Sequence, residues 1–223
     1  MELTHLGHSC VLVEVADQRL LIDPGTFSDF EGVRDLDAIL VTHQHPDHVD
    51  PARLPQLLRD NPEAQLWLEP GAARTVLDAQ PEIAERADGM SSGTVLRAGP
   101  VTITPVGEKH AFIHDYVPRI TNLGLVVTAD GEPSLFHPGD ALDAEHPVLK
   151  GVDIVCVPVN APWARVADTV DFVRRLAPGR VVPIHDGLVN DTGRGMYLGH
   201  IGTHGLDGGV EVLDLRGRGA VGV

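Results

Sequence analysis

The chain has 223 residues, 43% hydrophobic and 22% charged, a length that favours one large domain over two; no apolar run approaches the ~18 to 20 residues of a membrane span. A formal net charge of −15 would repel a polyanion, which makes nucleic acid a poor partner, and the opening Met1–His5 has no basic segment followed by an apolar stretch, so a cytoplasmic protein is expected. Two cysteines, Cys10 and Cys156, each inside an apolar run, are too few for a disulfide framework or a four-cysteine zinc site.

In chain order, Glu2 to Leu6, Cys10 to Val15 and Arg19 to Ile22 are three short strand-like runs separated by turn residues, which predicts an antiparallel meander. Ala38 to Val41 is a buried-strand run, followed by the polar loop Thr42 to Asp50 and a helix over Ala52 to Arg59. Gln65 to Glu69 is a further strand and Gly71 to Ala79 a helix ended by Pro81. The second half repeats the theme. Val101 to Val106 alternates at period two, and Asn122 to Thr128, Ser134 to Phe136 and the apolar Asp153 to Val159 are strands. Val166, Val170, Val173 and Leu176 share one face of a helix over about Arg165 to Leu176, closed by Pro178-Gly179. Arg180 to Ile184 and Val210 to Leu215 are the last strands expected, and the Gly-rich stretch around His200 and His204 has no predicted place. Two sets of strands with helices between them, and no linker, predict an α/β fold of two packed sheets with helices outside, one domain over 1–223. The halves show no residue-level repeat.

Histidine is over-represented, 12 in the chain, and its densest group is Thr42-His43-Gln44-His45-Pro46-Asp47-His48 at the end of the Ala38 to Val41 strand. His-x-His-x-Asp-His is expected about 0.003 times by chance at this composition. A helix cap needs one Asp or Ser, not three imidazoles. Neutral imidazoles suit zinc and similar ions and carboxylates add hard oxygen donors, so the loop is expected to bind metal.

These residues resemble the signature of the metallo-β-lactamase superfamily, whose αββα four-layer sandwich carries it after a strand, and the resemblance extends over almost the whole chain. It implies three further ligands from separate loops, matched by His110 in Gly-Glu-Lys-His, Asp140 in His-Pro-Gly-Asp and His185 in Pro-Ile-His-Asp. By the same pattern His43, His45 and His110 would hold one ion, Asp47, His48 and His185 a second, and Asp140 would bridge them. The implied chemistry is hydrolysis by a hydroxide shared between two ions about 3.5 to 4 Å apart, with Asp47 either a ligand only or also the group that orients the nucleophile and takes its proton. Asp140 stands where many true β-lactamases have cysteine, which turns the expectation away from antibiotic cleavage. No flavodoxin domain, helical extension or basic arm marks the redox, thioesterase or RNA-processing branches. The opening Leu6-Gly7-His8-Ser9-Cys10 is similar to the branch of ascorbate-6-phosphate lactonase and related hydrolases. The resemblance thus implies a dinuclear hydrolase of a small-molecule lactone, other ester or phosphodiester, with zinc the best fit to an N and O donor set and manganese or iron acceptable. A metal-binding scaffold or regulatory protein without turnover is the alternative.

Around the ligands, Asp23 in Asp-Pro-Gly matches a family position that hydrogen-bonds a ligand histidine. His8 matches a residue near the site mouth. His114, four after His110, is a candidate pocket residue, and His137 a strand-end histidine with a backbone partner. Asn160 and Trp163 follow a buried strand and are expected at the rim, the indole as an apolar wall. Arg119 and Arg165 are candidate phosphate contacts. Nothing in the sequence marks an oligomeric state.

Overall fold

A computed structural model describes residues 1–223. Strands β1 (Glu2–His5), β2 (Val11–Val15) and β3 (Gln18–Ile22) form the predicted meander, each antiparallel to the next. The chain then switches to parallel pairing through β4 (Ala38–Val41), helix α1 (Leu54–Asp60), β5 (Gln65–Leu68), helix α2 (Pro70–Ala79) and β6 (Ala87–Gly89). A second sheet repeats that plan. Strands β7 (Leu96–Ala98), β8 (Val101–Val106), β9 (Gly124–Thr128) and β10 (Leu135–His137) are antiparallel. Then β11 (Ile154–Pro158), helix α3 (Val166–Leu176), β12 (Arg180–Ile184), helix α4 (Asp191–His204) and β13 (Glu211–Val212) continue in parallel, before β14 (Val221–Gly222) crosses back to pair with β1. The sheet orders are β14-β1-β2-β3-β4-β5-β6 and β13-β12-β11-β10-β9-β8-β7. The repeat is therefore one of architecture, with no matching residue pattern behind it.

Period-two patterning builds the four layers. In β4, Ala38 and Leu40 face the core shared by the two sheets, while Ile39 and Val41 face the layer of α1 and α2. In β12, Val182 and Ile184 enter the shared core and Val181 the layer under α3 and α4. Fully burying one such aliphatic side chain contributes about 1.5 to 3 kcal/mol, so these three clusters supply most of the driving force. Cys10 and Cys156 are buried in them, their thiols pushed up by desolvation.

Helix ends follow local chemistry. Asp50 accepts from the amides of Ala52 and Arg53 ahead of α1, and the buried Glu69 carboxylate accepts from Gly71 and Ala72 at the start of α2. The buried stripe of α3 is Thr169, Phe172, Val173 and Leu176, rotated from the expected one. Val166 and Val170 are only half-buried, because the large Phe172 takes the central place against the sheet. The Gly-rich stretch is helix α4, started by the Asn190 side chain accepting from Gly193 and fixed by Ile201 in the outer core. Packing overrides the glycines' low helix propensity there. The expected strand over Val210 to Leu215 shrinks to Glu211–Val212, since Leu215 leaves the ladder to enter the shared core. No helix is long and apolar enough to cross a membrane.

Candidate metal centre

Loops following β1, β3, β4, β8, β10 and β12 all open at one end of the sandwich, and each brings one or more polar side chains there. Backbone geometry is specialised at these loops. His8, Asp23 and His185 hold φ values of 52°, 53° and 56°, a left-handed conformation that non-glycine residues adopt at a cost of about 1 kcal/mol or more each. Gly25 lies so close beneath the histidine loop that a Cβ there would sit 1.9 Å from the Asp47 carbonyl oxygen. Gly139, φ 59°, similarly has Asn122 Oδ1 and Thr42 Oγ1 where a side chain would go.

Two boxes of ligand atoms result, His43, His45, His110 and Asp140 in one, His8, Asp47, His48 and His185 in the other, each with its atoms within 4.8 Å of one another. Asp140 joins them. Its Oδ2 is 3.2 Å from His110 Nε2 and 3.3 Å from His185 Nε2, and its Oδ1 is 3.1 Å from His48 Nε2. In the first box His43 Nε2 faces His45 Nδ1 at 3.1 Å.

The imidazoles are aimed by bonds to their other nitrogens. His48 Nδ1 donates to Asp23 Oδ2 at 2.7 Å, His110 Nδ1 to the Ala111 carbonyl at 2.8 Å and His185 Nδ1 to the Asn160 carbonyl at 2.6 Å, while His43 Nδ1 lies 3.1 Å from Thr42 Oγ1. This turns the Nε2 atoms of His48, His110 and His185 inward. His8 is different. Its Nδ1 accepts from the Gly187 amide at 3.1 Å, so its proton sits on Nε2, which donates to Asp47 Oδ2 at 3.0 Å. His8 therefore orients Asp47 and offers no lone pair inward.

The donor set fits divalent cations. Asp140 Oδ1 and His185 Nε2 are buried with no hydrogen-bond partner, a deficit that a cation between the boxes would remove. Among the protein groups alone, burial and then the neighbouring imidazoles hold His43 and His45 below the usual histidine range, ready to bind as neutral ligands. Burial also opposes charge on His185, but Asp140 outweighs it and lifts that histidine to about 9; His48 rises for the same reason, with Asp23 adding to it. Asp140 and Asp47 lie below the carboxylate range, burial being overcome by the surrounding histidines.

The remaining expected residues divide. Asp23, fully buried, accepts from His48 and from both the amide and hydroxyl of Thr42, fastening the histidine loop to β3. Trp163 is half-buried with its indole N–H 3.1 Å from Asp140 Oδ2, so it is a donor to the shared carboxylate and more than an apolar wall. Asn160 acts through its backbone carbonyl, its side chain turning to the Tyr197 hydroxyl. Two expectations need correction. His8 is buried, 1% exposed, and not at the mouth, because its left-handed turn folds it beneath Asp47. His114 is exposed and its Nδ1 accepts from the Tyr116 amide in its own turn, so it stands apart from the ligand set. His137 has its backbone partner, the Ser9 carbonyl. Arg119 is held by the His110 carbonyl and Asp143, and Arg165 by Asp168. Reading the sequence missed Thr42, whose place just ahead of the histidines was a usable signal. It also missed Asn122, buried with its Oδ1 on the Asp140 amide, which has no local signature.

Comparison with known proteins identifies the family. The family model described as Beta-lactamase superfamily domain matches residues 2–185. The chain is 44% identical over 203 residues to Protein Rv0786c of Mycobacterium tuberculosis, covering 90% of this chain and 91% of that one. It is 30% identical over 213 residues to a UPF0173 metal-dependent hydrolase of Opitutus terrae, with 83% and 84% covered. Among solved structures, Igni18, a metallo hydrolase from Ignicoccus hospitalis, superposes with a TM-score of 0.69 at 19% identity, covering 99% of this chain and 97% of that one, a likeness of fold.

Proposed function

The chain belongs to the beta-lactamase superfamily as a metal-dependent hydrolase, and we propose that it opens the acyl–oxygen bond of a small-molecule lactone or other ester at a two-ion centre. The observation that carries this reading is the sharing of Asp140 between two boxes of nitrogen and oxygen donors. Two divalent ions bound by His43, His45, His110, Asp140, Asp47, His48 and His185 would polarise the substrate oxygen and make a water acidic enough to lose its proton near neutral pH. Zinc suits such ligands, with manganese or iron the alternatives, since no thiolate is present to select a softer ion.

The side chains do the rest. Asp47 has a fifth of its side chain exposed, against 3% for Asp140, so it is the carboxylate that meets incoming water. One of its oxygens is held by His8, and it accepts the proton of the attacking water as the new carbon–oxygen bond forms. That proton then passes to the departing alkoxide. Trp163 fixes Asp140 and presents its ring beside His110 and His185, at 5.9 and 6.2 Å between centroids, as a face for the substrate. A phosphodiester is less well served. The chain's charge of −15 opposes it and both candidate arginines are engaged.

Metal analysis of protein purified without chelator, joined to a panel of lactones, carboxylic esters and an activated phosphodiester, tests the reading. About two ions per chain and ester or lactone turnover that disappears in His48→Ala are expected. Full metal occupancy with no turnover across the panel would instead describe a binding scaffold.

A further inference from the structure

The matched family segment stops at residue 185, the last of the ligands, while 38 residues, 186–223, follow it. Those residues reach back into the site through a chain of hydrogen bonds that runs inward from the half-exposed Asp214. Arg194, on the first turns of α4, is 9% exposed; its Nε donates to Asp186 Oδ2 at 2.7 Å, and its two terminal nitrogens grip both oxygens of Asp214 at 2.7 and 2.8 Å. Asp214 is itself anchored by its neighbour Leu215, 1% exposed in the core between the sheets. At the other end Asp186, 2% exposed, is the residue after the ligand His185 and the residue before Gly187.

That turn is where the second box is closed. The His185 amide donates to the His8 carbonyl at 2.8 Å, the Gly187 amide to His8 Nδ1 at 3.1 Å, and His8 Nε2 to Asp47 Oδ2 at 3.0 Å. His5 Nε2 also donates to the His8 carbonyl, at 2.8 Å, and lies 3.8 Å from Asp186 Oδ1, so one imidazole sits beside both His8 and the Asp186 carboxylate. His185 carries a left-handed φ of 56°, a conformation that persists only where its surroundings hold it. No comparable link runs from the C-terminal segment to His43, His45 or His110, which are held by Thr42, by the Ala111 carbonyl and by each other.

We infer that Arg194 is a positioning residue for the second metal box: by locking Asp186 against Asp214 it fixes the His185–Gly187 turn and, through His8, the carboxylate of Asp47. This rests on the two-ion reading of the centre. Removing groups that orient metal ligands weakens binding by about 10- to 100-fold, and here that loss falls on one ion of the two. A site with one buried carboxylate, Asp186, and one half-exposed carboxylate, Asp214, also explains why arginine is used, because its planar fork can serve both acids at once where lysine cannot.

The test is titration of the chelator-stripped 223-residue chain with Zn²⁺ by calorimetry, repeated with Co²⁺ followed by absorption. About two ions bound per parent chain, in two resolved steps, establish the two-ion reading; a stoichiometry of one ion per chain would remove that reading and leave nothing for Arg194 to act on. With two steps in hand, Arg194→Ala is expected to weaken one step by about 10- to 100-fold and leave the other unchanged. A folded Arg194→Ala protein that keeps both steps, or loses both equally, overturns the inference, since a merely structural role would spread across the two. Should Arg194→Ala not fold, Arg194→Lys and Asp214→Asn decide by the same criterion, each expected to show a smaller loss confined to the same step.

Discussion

The two metal boxes sit side by side yet are assembled in different ways. In the first, the groups that aim the ligands are chain neighbours, Thr42 beside His43 and Ala111 beside His110. In the second they are remote. Asp23 aims His48 across 25 residues, Asn160 aims His185 across 25, His8 aims Asp47 across 39, and Gly187 aims His8 across 179. Both boxes draw ligands from the two sheets, but the bonds that aim the histidines of the first are local, whereas those of the second form only once the C-terminal segment has also closed. The second box's ion should be the one that responds to distant substitutions.

The strongest way to break the distinction is to remove what the boxes share. Asp140→Asn is expected to drop occupancy in both and to lower kcat/KM on a turned-over ester by about 10³-fold, equivalent to about 4 kcal/mol of barrier; metal analysis with steady-state kinetics checks it. Gly25→Ala, which drives a methyl group into the Asp47 carbonyl, should also strike both by displacing the whole histidine loop. It is expected to destabilise by about 1 to 3 kcal/mol, read as a fall in Tm.

Separating the boxes takes subtler changes. Asp23→Asn should weaken one metal-binding step by about 10- to 100-fold through misaligned His48, whereas Thr42→Val, which removes a hydroxyl that binds Asp23 and lies beside His43, should weaken both; paired calorimetric titrations compare them. The response to acid sharpens the contrast further. In the metal-stripped chain His43 and His45 have folded pKa values below 6.5, so they destabilise the fold as pH falls through the unfolded value. His185, raised to about 9, does the reverse: its contribution is complete below about 6.5 and is lost as pH rises through 9. Proton NMR of the imidazoles should show His185 still charged at pH 7.5 and His43 neutral, and Zn²⁺ binding in the second box should displace more protons than in the first.

The smallest effect is a control outside both boxes. Gly195→Ala and Gly199→Ala on α4 meet open space, and each should stabilise by up to about 1 kcal/mol without altering either metal-binding step.

The same contrast explains what the sequence made legible. The meander, the parallel strands and the helices over Gly71 to Ala79 and Arg165 to Leu176 follow from short-range periodicity, and the histidine loop from spacing so improbable that chemistry had to account for it. Residues whose role is set by contacts across the fold were harder to read. His8 carries its meaning in which nitrogen is protonated, a fact fixed by Gly187 far along the chain. Asn122 and Arg194 have no local pattern at all, and α4 is concealed by glycines that tertiary packing tolerates.

The left-handed turns at His8, Asp23 and His185 limit how this site can be reshaped by laboratory evolution. At each of these codons a replacement must supply both a chemical group and tolerance of an unusual backbone, which leaves little beyond glycine, asparagine, aspartate and histidine. Variants selected for new substrates should therefore accumulate on exposed apolar side chains such as Phe27, which packs against His8, and Leu188, which follows the His185–Gly187 turn, while those three positions stay fixed.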